Sequence, residues 1–204
     1  MKISIMLFEQ ADLLDFGGPY EVFLTASRLA ARAGEPEPFE VTTVSLDGQA
    51  ITAYGGMQIV PQGSLQQAGP CDVLIVPGGI DVERFLADKL LLSSIAGIAQ
   101  DTGAIIASVC TGAFILAEAG LLSTMEWTTH WEDIDDLAAL VGDEGAHRNV
   151  HWVDNGKIVT GAGLSSGIAM SLHLVQRFAS LDLAERTAVQ IGYPWSPDPA
   201  MSAS

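Results

Sequence analysis

A cysteine set between small residues is the feature of this sequence most suited to chemistry. Ser108-Val109-Cys110-Thr111-Gly112 falls where an apolar segment, Ala104 to Val109, gives way to a helical one, Ala113 to Ala119. Small residues two before and two after the central position permit a sharp strand-to-helix turn, the geometry of a nucleophile elbow with Cys in place of Ser. Such a turn lifts the sulfur from the top of a sheet and sets it at a helix N-terminus, where unpaired amides and the dipole favour the anion. The expected consequence is a Cys110 thiol that titrates below an ordinary one. The plainer alternative is a small core residue, the common fate of a cysteine in an apolar run. Cys71, after Gly69-Pro70, has no comparable setting and reads as structural.

Other residues offer partners for that sulfur. Asp15 is expected in the loop between the first strand and a helix opening at Pro19, at the same sheet edge as Cys110 if the strands leading to the two are neighbours. A carboxyl beside a thiolate has its pKa raised by like charge and burial, so it can hold a proton, share it with the sulfur and pass it on. The alternative for Asp15 is a helix-entry or Asx-turn residue. Pro77-Gly78-Gly79 ends another apolar strand, and its amides, free of side-chain bulk, suit an oxyanion hole or simply a turn. His130, in TTHW, fits a supporting role in the pocket rather than that of general base. Glu21 either reaches the same pocket or faces water, and Gly161 and Gly163 either line it or serve loop geometry. His147 and His151 stand four apart in a strand-like stretch, too far apart to share a metal, so no metal is expected.

Strands and helices must position these groups, and they alternate along the chain. Lys2 to Phe8, Asp72 to Val76 and Ala104 to Val109 are apolar runs of the kind buried on both faces of a parallel sheet. Phe39 to Leu46 and Met57 to Pro61 read as further strands, and Trp127 to Thr129 as a short one. Helical spacing is expected over Pro19 to Arg32, Val82 to Gln100, Ala113 to Ala119, Glu132 to Val141, Ser165 to Phe178 and Leu183 to Ile191. Asp154-Asn155-Gly156 between Asn149–Val153 and Lys157–Thr160 is a hairpin signal. The pattern predicts one α/β domain over residues 1–193, a three-layer sandwich on a mainly parallel sheet, with a loop-like or frayed tail at 194–204. Ligands of such folds bind beyond the carboxyl ends of the strands, where Cys110 and the glycine pair fall.

Charge and length narrow the partners. The 204 residues carry 25 acids against 9 bases, a net charge of −16, which repels a phosphate backbone; nucleic acid is not an expected partner. The apolar stretches are shorter than the roughly 20 residues a spanning helix needs, so no membrane is expected and the reading is a cytoplasmic chain. Two cysteines make no disulfide framework.

LDFGGPYEVF (Leu14 to Phe23), LIVPGG (Leu74 to Gly79), SVCTGAFILAEAGLL (Ser108 to Leu122), TTHW (Thr128 to Trp131) and VTGAGLSSGI (Val159 to Ile168) together resemble the ThiJ/PfpI superfamily, with its class I glutamine amidotransferase-like, flavodoxin-like fold. Within it, the Asp-x-x-Gly-Pro opening and the Cys-Thr-Gly elbow are most similar to isocyanide hydratases and to the sensory domains of AraC-type regulators. The resemblance implies Cys110 as nucleophile, Asp15 as its carboxyl partner, Gly79 and Thr111 amides at the pocket, and a Thr111 hydroxyl touching substrate. The protease-like branch has His directly after the Cys, where this chain has Thr111, so peptidase activity is not expected. The expected activity is hydration of a small isocyanide without a cofactor, in a homodimer. A dicarbonyl hydratase of the glyoxalase type, or a sensor using the same cysteine, stands as the alternative.

Overall fold

The computed structural model describes residues 1–101 and 103–201. In chain order the elements are β1 (Lys2–Met6), α1 (Leu13–Arg32), β2 (Glu40–Ser45), β3 (Ile51–Thr52), β4 (Gln58–Ile59), β5 (Gly63–Ser64), α2 (Leu65–Ala68), β6 (Val73–Val76), α3 (Val82–Ala87), α4 (Lys89–Asp101), β7 (Ile105–Val109), α5 (Gly112–Glu118), α6 (Ile134–Val141), β8 (Trp152–Asp154), β9 (Ile158–Gly161), α7 (Ser166–Phe178) and α8 (Leu181–Ile191). Seven strands form one sheet in the order β5-β2-β1-β6-β7-β9-β8. All neighbours run parallel except β8 and β9, the hairpin signalled by Asp154-Asn155-Gly156. β6 and β7 are buried along their whole length, as unbroken apolar runs require when helices cover both faces.

Helices α1, α7 and α8 pack together on one face and α3, α4, α5 and α6 on the other. The flavodoxin-like three-layer α/β sandwich is therefore present. No helix among the described residues is long and apolar enough to cross a membrane.

Several elements differ from expectation for local reasons. Helix α1 opens at Leu13, six residues before Pro19, which lies inside it. Proline lacks the N–H that Asp15 would otherwise receive one turn on, so the helix tolerates it close to its start at the cost of one bond. The expected helix over Val82 to Gln100 is broken at Asp88, whose carboxylate accepts from the Leu90 and Leu91 amides and caps α4. Trp127 to Thr129 forms no strand; Trp127 makes one isolated bridge to Ala146, and the Thr128 amide donates to the Thr160 hydroxyl instead. Met57 to Pro61 contributes only β4, which pairs with β3 outside the main sheet. The tail from Pro194 is loop in form but tied down as far as Met201: Trp195 donates to Ala169 O, and Met201 N to Asn149 O.

Candidate active site

Four chain crossings meet at the carboxyl edge of β1, β6, β7 and β9. Cys110 follows β7 with φ at 55°, the strained left-handed turn an elbow demands of a residue with a side chain. Its amide donates to the Gly161 and Ala162 carbonyls at 3.1 and 2.8 Å, and its carbonyl accepts from the Thr129 hydroxyl at 2.8 Å. These three bonds from β9 and the segment before α6 hold the strained turn in place. The loop after β6 presses directly against it. A Cβ on Gly78 would come within 2.6 Å of the Thr111 amide nitrogen, and one on Gly112 within 2.5 Å of the Val76 carbonyl oxygen. Only glycine at both positions lets the two loops approach this closely.

Asp15 sits in the first turn of α1, not in a loop, and is fully buried. Strand β6 lies between β1 and β7, so the strands leading to Asp15 and Cys110 are not neighbours. The carboxyl still reaches the site, because the Gly78 amide at the end of the intervening β6 donates to its Oδ2 at 3.0 Å. Among the described residues Oδ1 has no hydrogen-bond partner. Burial pushes the Asp15 pKa up to about 7, against the Gly78 amide and the Cys110 thiol, which both hold it down.

The same burial corrects the expectation for the thiol. Cys110 is pushed up from the ordinary thiol range, first by burial and then by the Asp15 carboxylate; the Thr111 amide, facing the sulfur, opposes them. One amide at the start of a seven-residue helix does not outweigh desolvation beside a carboxylate. Thiol and carboxyl therefore act as a coupled pair that sheds its first proton near neutrality and resists losing the second.

Thr111 and the glycine pair are brought together; the Thr111 amide is at the pocket as expected, whereas its hydroxyl and the glycine amides take other roles. The Thr111 hydroxyl accepts from the Gly79 amide at 2.9 Å and donates to the Gly79 carbonyl at 2.7 Å, so it is committed to the loop rather than to a substrate. With Gly78 N on Asp15 and Gly79 N on Thr111, neither glycine amide is left for an oxyanion. The Thr111 amide, beside the sulfur, is the donor placed for that purpose.

The sulfur opens into a cleft of about 210 Å³. His130 lines it, with Nδ1 3.2 Å from Asp133 Oδ2 and 3.9 Å from Glu132 Oε2. Gly163 packs under the His130 ring, where a Cβ would lie 3.2 Å from Cδ2. Asp12, Glu132 and Asp133 line the cleft and were not singled out from the sequence. The His130–Asp133 spacing of three residues was the available signal, hidden in what reads as an acidic helix face. Glu21 is exposed and accepts from the Thr25 hydroxyl at 2.8 Å, away from the cleft.

Cys71 lines a separate and larger cavity of about 460 Å³, walled mainly by leucines, serines and glycines. Burial raises its thiol and the Asp72 carboxylate adds to the rise, and among the described residues lining the cavity none is an acid or a base. Among the described residues, no three His, Cys, Asp or Glu side chains gather as a metal site.

A buried acid beside an elbow cysteine is accompanied by likeness along the whole chain. The DJ-1/PfpI family pattern matches residues 1–177, and the isonitrile hydratase of Pseudomonas putida is 33% identical over 210 residues, covering 100% of this chain and 86% of that enzyme. The chain belongs to the DJ-1/PfpI family. A ThiJ/PfpI family protein from Pseudomonas syringae superposes with a TM-score of 0.78 at 27% identity, over 100% of this chain and 78% of that one. The DJ-1/PfpI likeness extends to a regulator: the HTH-type transcriptional regulator GbdR of Pseudomonas aeruginosa is 28% identical over 176 residues, 86% of this chain and 46% of that protein. The family thus spans enzymes and regulators.

Proposed function

We propose that this chain hydrates a small isonitrile to an N-substituted formamide, with Cys110 as nucleophile and Asp15 as proton carrier. The observation that carries the reading is the Asp15 carboxyl, fully buried at the elbow with Oδ1 unpartnered and its pKa near 7. A carboxyl so placed exchanges a proton with the thiol, and only one of the two is charged at a time. The 33% identity to an isonitrile hydratase supports the choice of substrate class.

The reaction then runs in two halves. The Cys110 proton moves to Asp15, and the thiolate adds to the terminal isonitrile carbon. That carbon's electron pair takes the proton from Asp15, giving a thioimidate and a carboxylate. Water, deprotonated by the Asp15 carboxylate, adds to the same carbon and that proton passes to nitrogen; the thiolate then leaves as the added hydroxyl gives its own proton to Asp15 and becomes the formamide carbonyl, which restores the starting pair. The Thr111 amide stabilises charge beside the sulfur in both halves. His130, fixed through Nδ1 by Asp133, shapes the wall of the cleft.

The test is turnover of a panel of isonitriles, dicarbonyls, amides and peptides by wild type, Cys110→Ala and Asp15→Asn. Formamide release by wild type, abolished in Cys110→Ala and lowered by 10² or more in Asp15→Asn, is expected. Turnover of dicarbonyls alone would move the reading to a dicarbonyl hydratase. The likeness to GbdR favours one further reading, a sensor, which would bind a panel member with a rise in Tm and turn over none.

A further inference from the structure

The cleft above Cys110 has an uneven charge. Three carboxylates, Asp12, Glu132 and Asp133, face it, against one histidine, and among the described lining residues none is Lys or Arg. Ile80, Val82 and Leu164 give the wall its apolar part, with Gly79 and Thr111 beside them, so apolar and acidic groups share the cleft. Asp133 is partly engaged by His130 at 3.2 Å, whereas the Glu132 side chain, 3.9 Å from that ring, stays 63% exposed to whatever enters. Asp12 caps no helix amide, so its carboxylate keeps its hydrogen-bonding capacity.

A second observation lies beneath these groups. Asp15 is fully buried with Oδ1 unpartnered, and with Cys110 it forms a pair that stays anionic once its first proton is gone. Even with His130 protonated, the carboxylates and the pair together leave the cleft net negative. Low-dielectric walls around such a cleft strengthen its field.

We propose that this cleft selects small electrophiles bearing a positive charge on an apolar stem over neutral and anionic ones of the same shape. The identity of the reacting group, an isonitrile, rests on the function proposed above; the charge selection rests on the cleft alone. The reactive carbon reaches Cys110 at the floor, the stem lies on Ile80, Val82 and Leu164, and the cationic end meets Glu132 and Asp133 at the rim.

Methanethiosulfonates test the charge selection without turnover, because each transfers its alkylthio group to Cys110 and releases methanesulfinate. Their rates at the Cys110 peptide, read by mass spectrometry, are divided by their rates with a free thiol. The trimethylammonioethyl reagent is expected to react about tenfold faster than the hydroxyethyl one, and the sulfonatoethyl reagent about tenfold slower, at low salt. The spread should shrink severalfold at roughly 0.5 M salt. Glu132→Gln should narrow it more than Glu35→Gln, an equal change in net charge beyond the far end of α1, about 30 Å away. Trimethylammonioethyl isocyanide, its neutral tert-butyl isostere and isocyanopropanoate should follow the same order in kcat/KM.

Equal normalised rates for the three reagents, or equal narrowing by the two Gln variants, would overturn charge selection by the cleft. Turnover of the neutral isonitrile without any charge order would overturn it too, leaving the hydratase reading in place. Ordered reagent rates with no isonitrile turnover would support the selection and remove the isonitrile reading.

Discussion

The Thr111 hydroxyl and the Gly79 backbone hold each other in both directions: the amide donates to Oγ1 at 2.9 Å and Oγ1 donates back to the carbonyl at 2.7 Å. This clamp joins the elbow to the loop after β6, whose Gly78 amide holds Asp15. The residue after the nucleophile thereby fixes the nucleophile's proton partner, through a loop more than thirty positions away in sequence.

Thr111→Val should accordingly act through stability and geometry. It strands a buried donor and acceptor on Gly79, at a cost of about 1–3 kcal/mol each at most. A fall in Tm of several degrees is expected, together with lower turnover of the folded fraction, while Thr111→Ser keeps the hydroxyl and should change both little. A Val variant with wild-type Tm would show that the clamp contributes nothing.

How much of this was legible in the sequence depends on the range of the interaction. β1, β6 and β7 were readable because burial on both faces demands apolar runs, and the elbow because Gly112 must pass the Val76 carbonyl. The start of α1 was not: Pro19 is a strong local signal for a helix beginning, and Leu13 and Leu14, both 40% exposed, show no apolar face ahead of it. The two-residue edge strand β5 exists only through its pairing with β2, and so carries no periodicity of its own. The glycine amides looked free because their acceptors, Asp15 and Thr111, are distant in sequence. The thiol pKa was misjudged for a related reason. The helix amide is local and visible, whereas burial and the Asp15 charge are products of the tertiary fold.

Asp15 gives the protein a pH-dependent stability whose sign is fixed. Its pKa is about 7 when folded and near 3.8 when unfolded, so between these values the folded state binds more protons. The contribution is fully present below about pH 4 and is lost as pH rises through 7, by up to about 4 kcal/mol. Asp15→Asn keeps an acceptor for Gly78 N–H and does not titrate. Urea unfolding should therefore show Asp15→Asn gaining on wild type between pH 4 and 8, even as its turnover falls. A stability difference independent of pH would place the Asp15 pKa at its unfolded value.

Alkylation of Cys110 should report the coupled pair directly. In wild type the thiolate fraction rises with pH until the pair has lost its first proton, then levels, because further thiolate requires two adjacent anions. The iodoacetamide rate at the Cys110 peptide is expected to bend near pH 7. Asp15→Asn removes the carboxylate, so its rate should climb past pH 7 without that bend. Identical profiles for the two proteins would separate Asp15 from the sulfur.

Cys110 itself carries backbone strain that its sulfur repays only in function. At φ 55° a residue with a Cβ costs on the order of 1–2 kcal/mol relative to glycine, since the side chain crowds the following carbonyl. Cys110→Ala keeps the Cβ and hence the strain; Cys110→Gly releases it and leaves the bonds from the Cys110 amide to Gly161 and Ala162 intact. Both variants should be inactive, with the Gly variant melting some degrees above the Ala variant although it loses more chain entropy on folding. Calorimetry of the two side by side decides the matter. A Gly variant less stable than Ala would mean that the turn is relaxed, and that the elbow geometry costs the fold nothing.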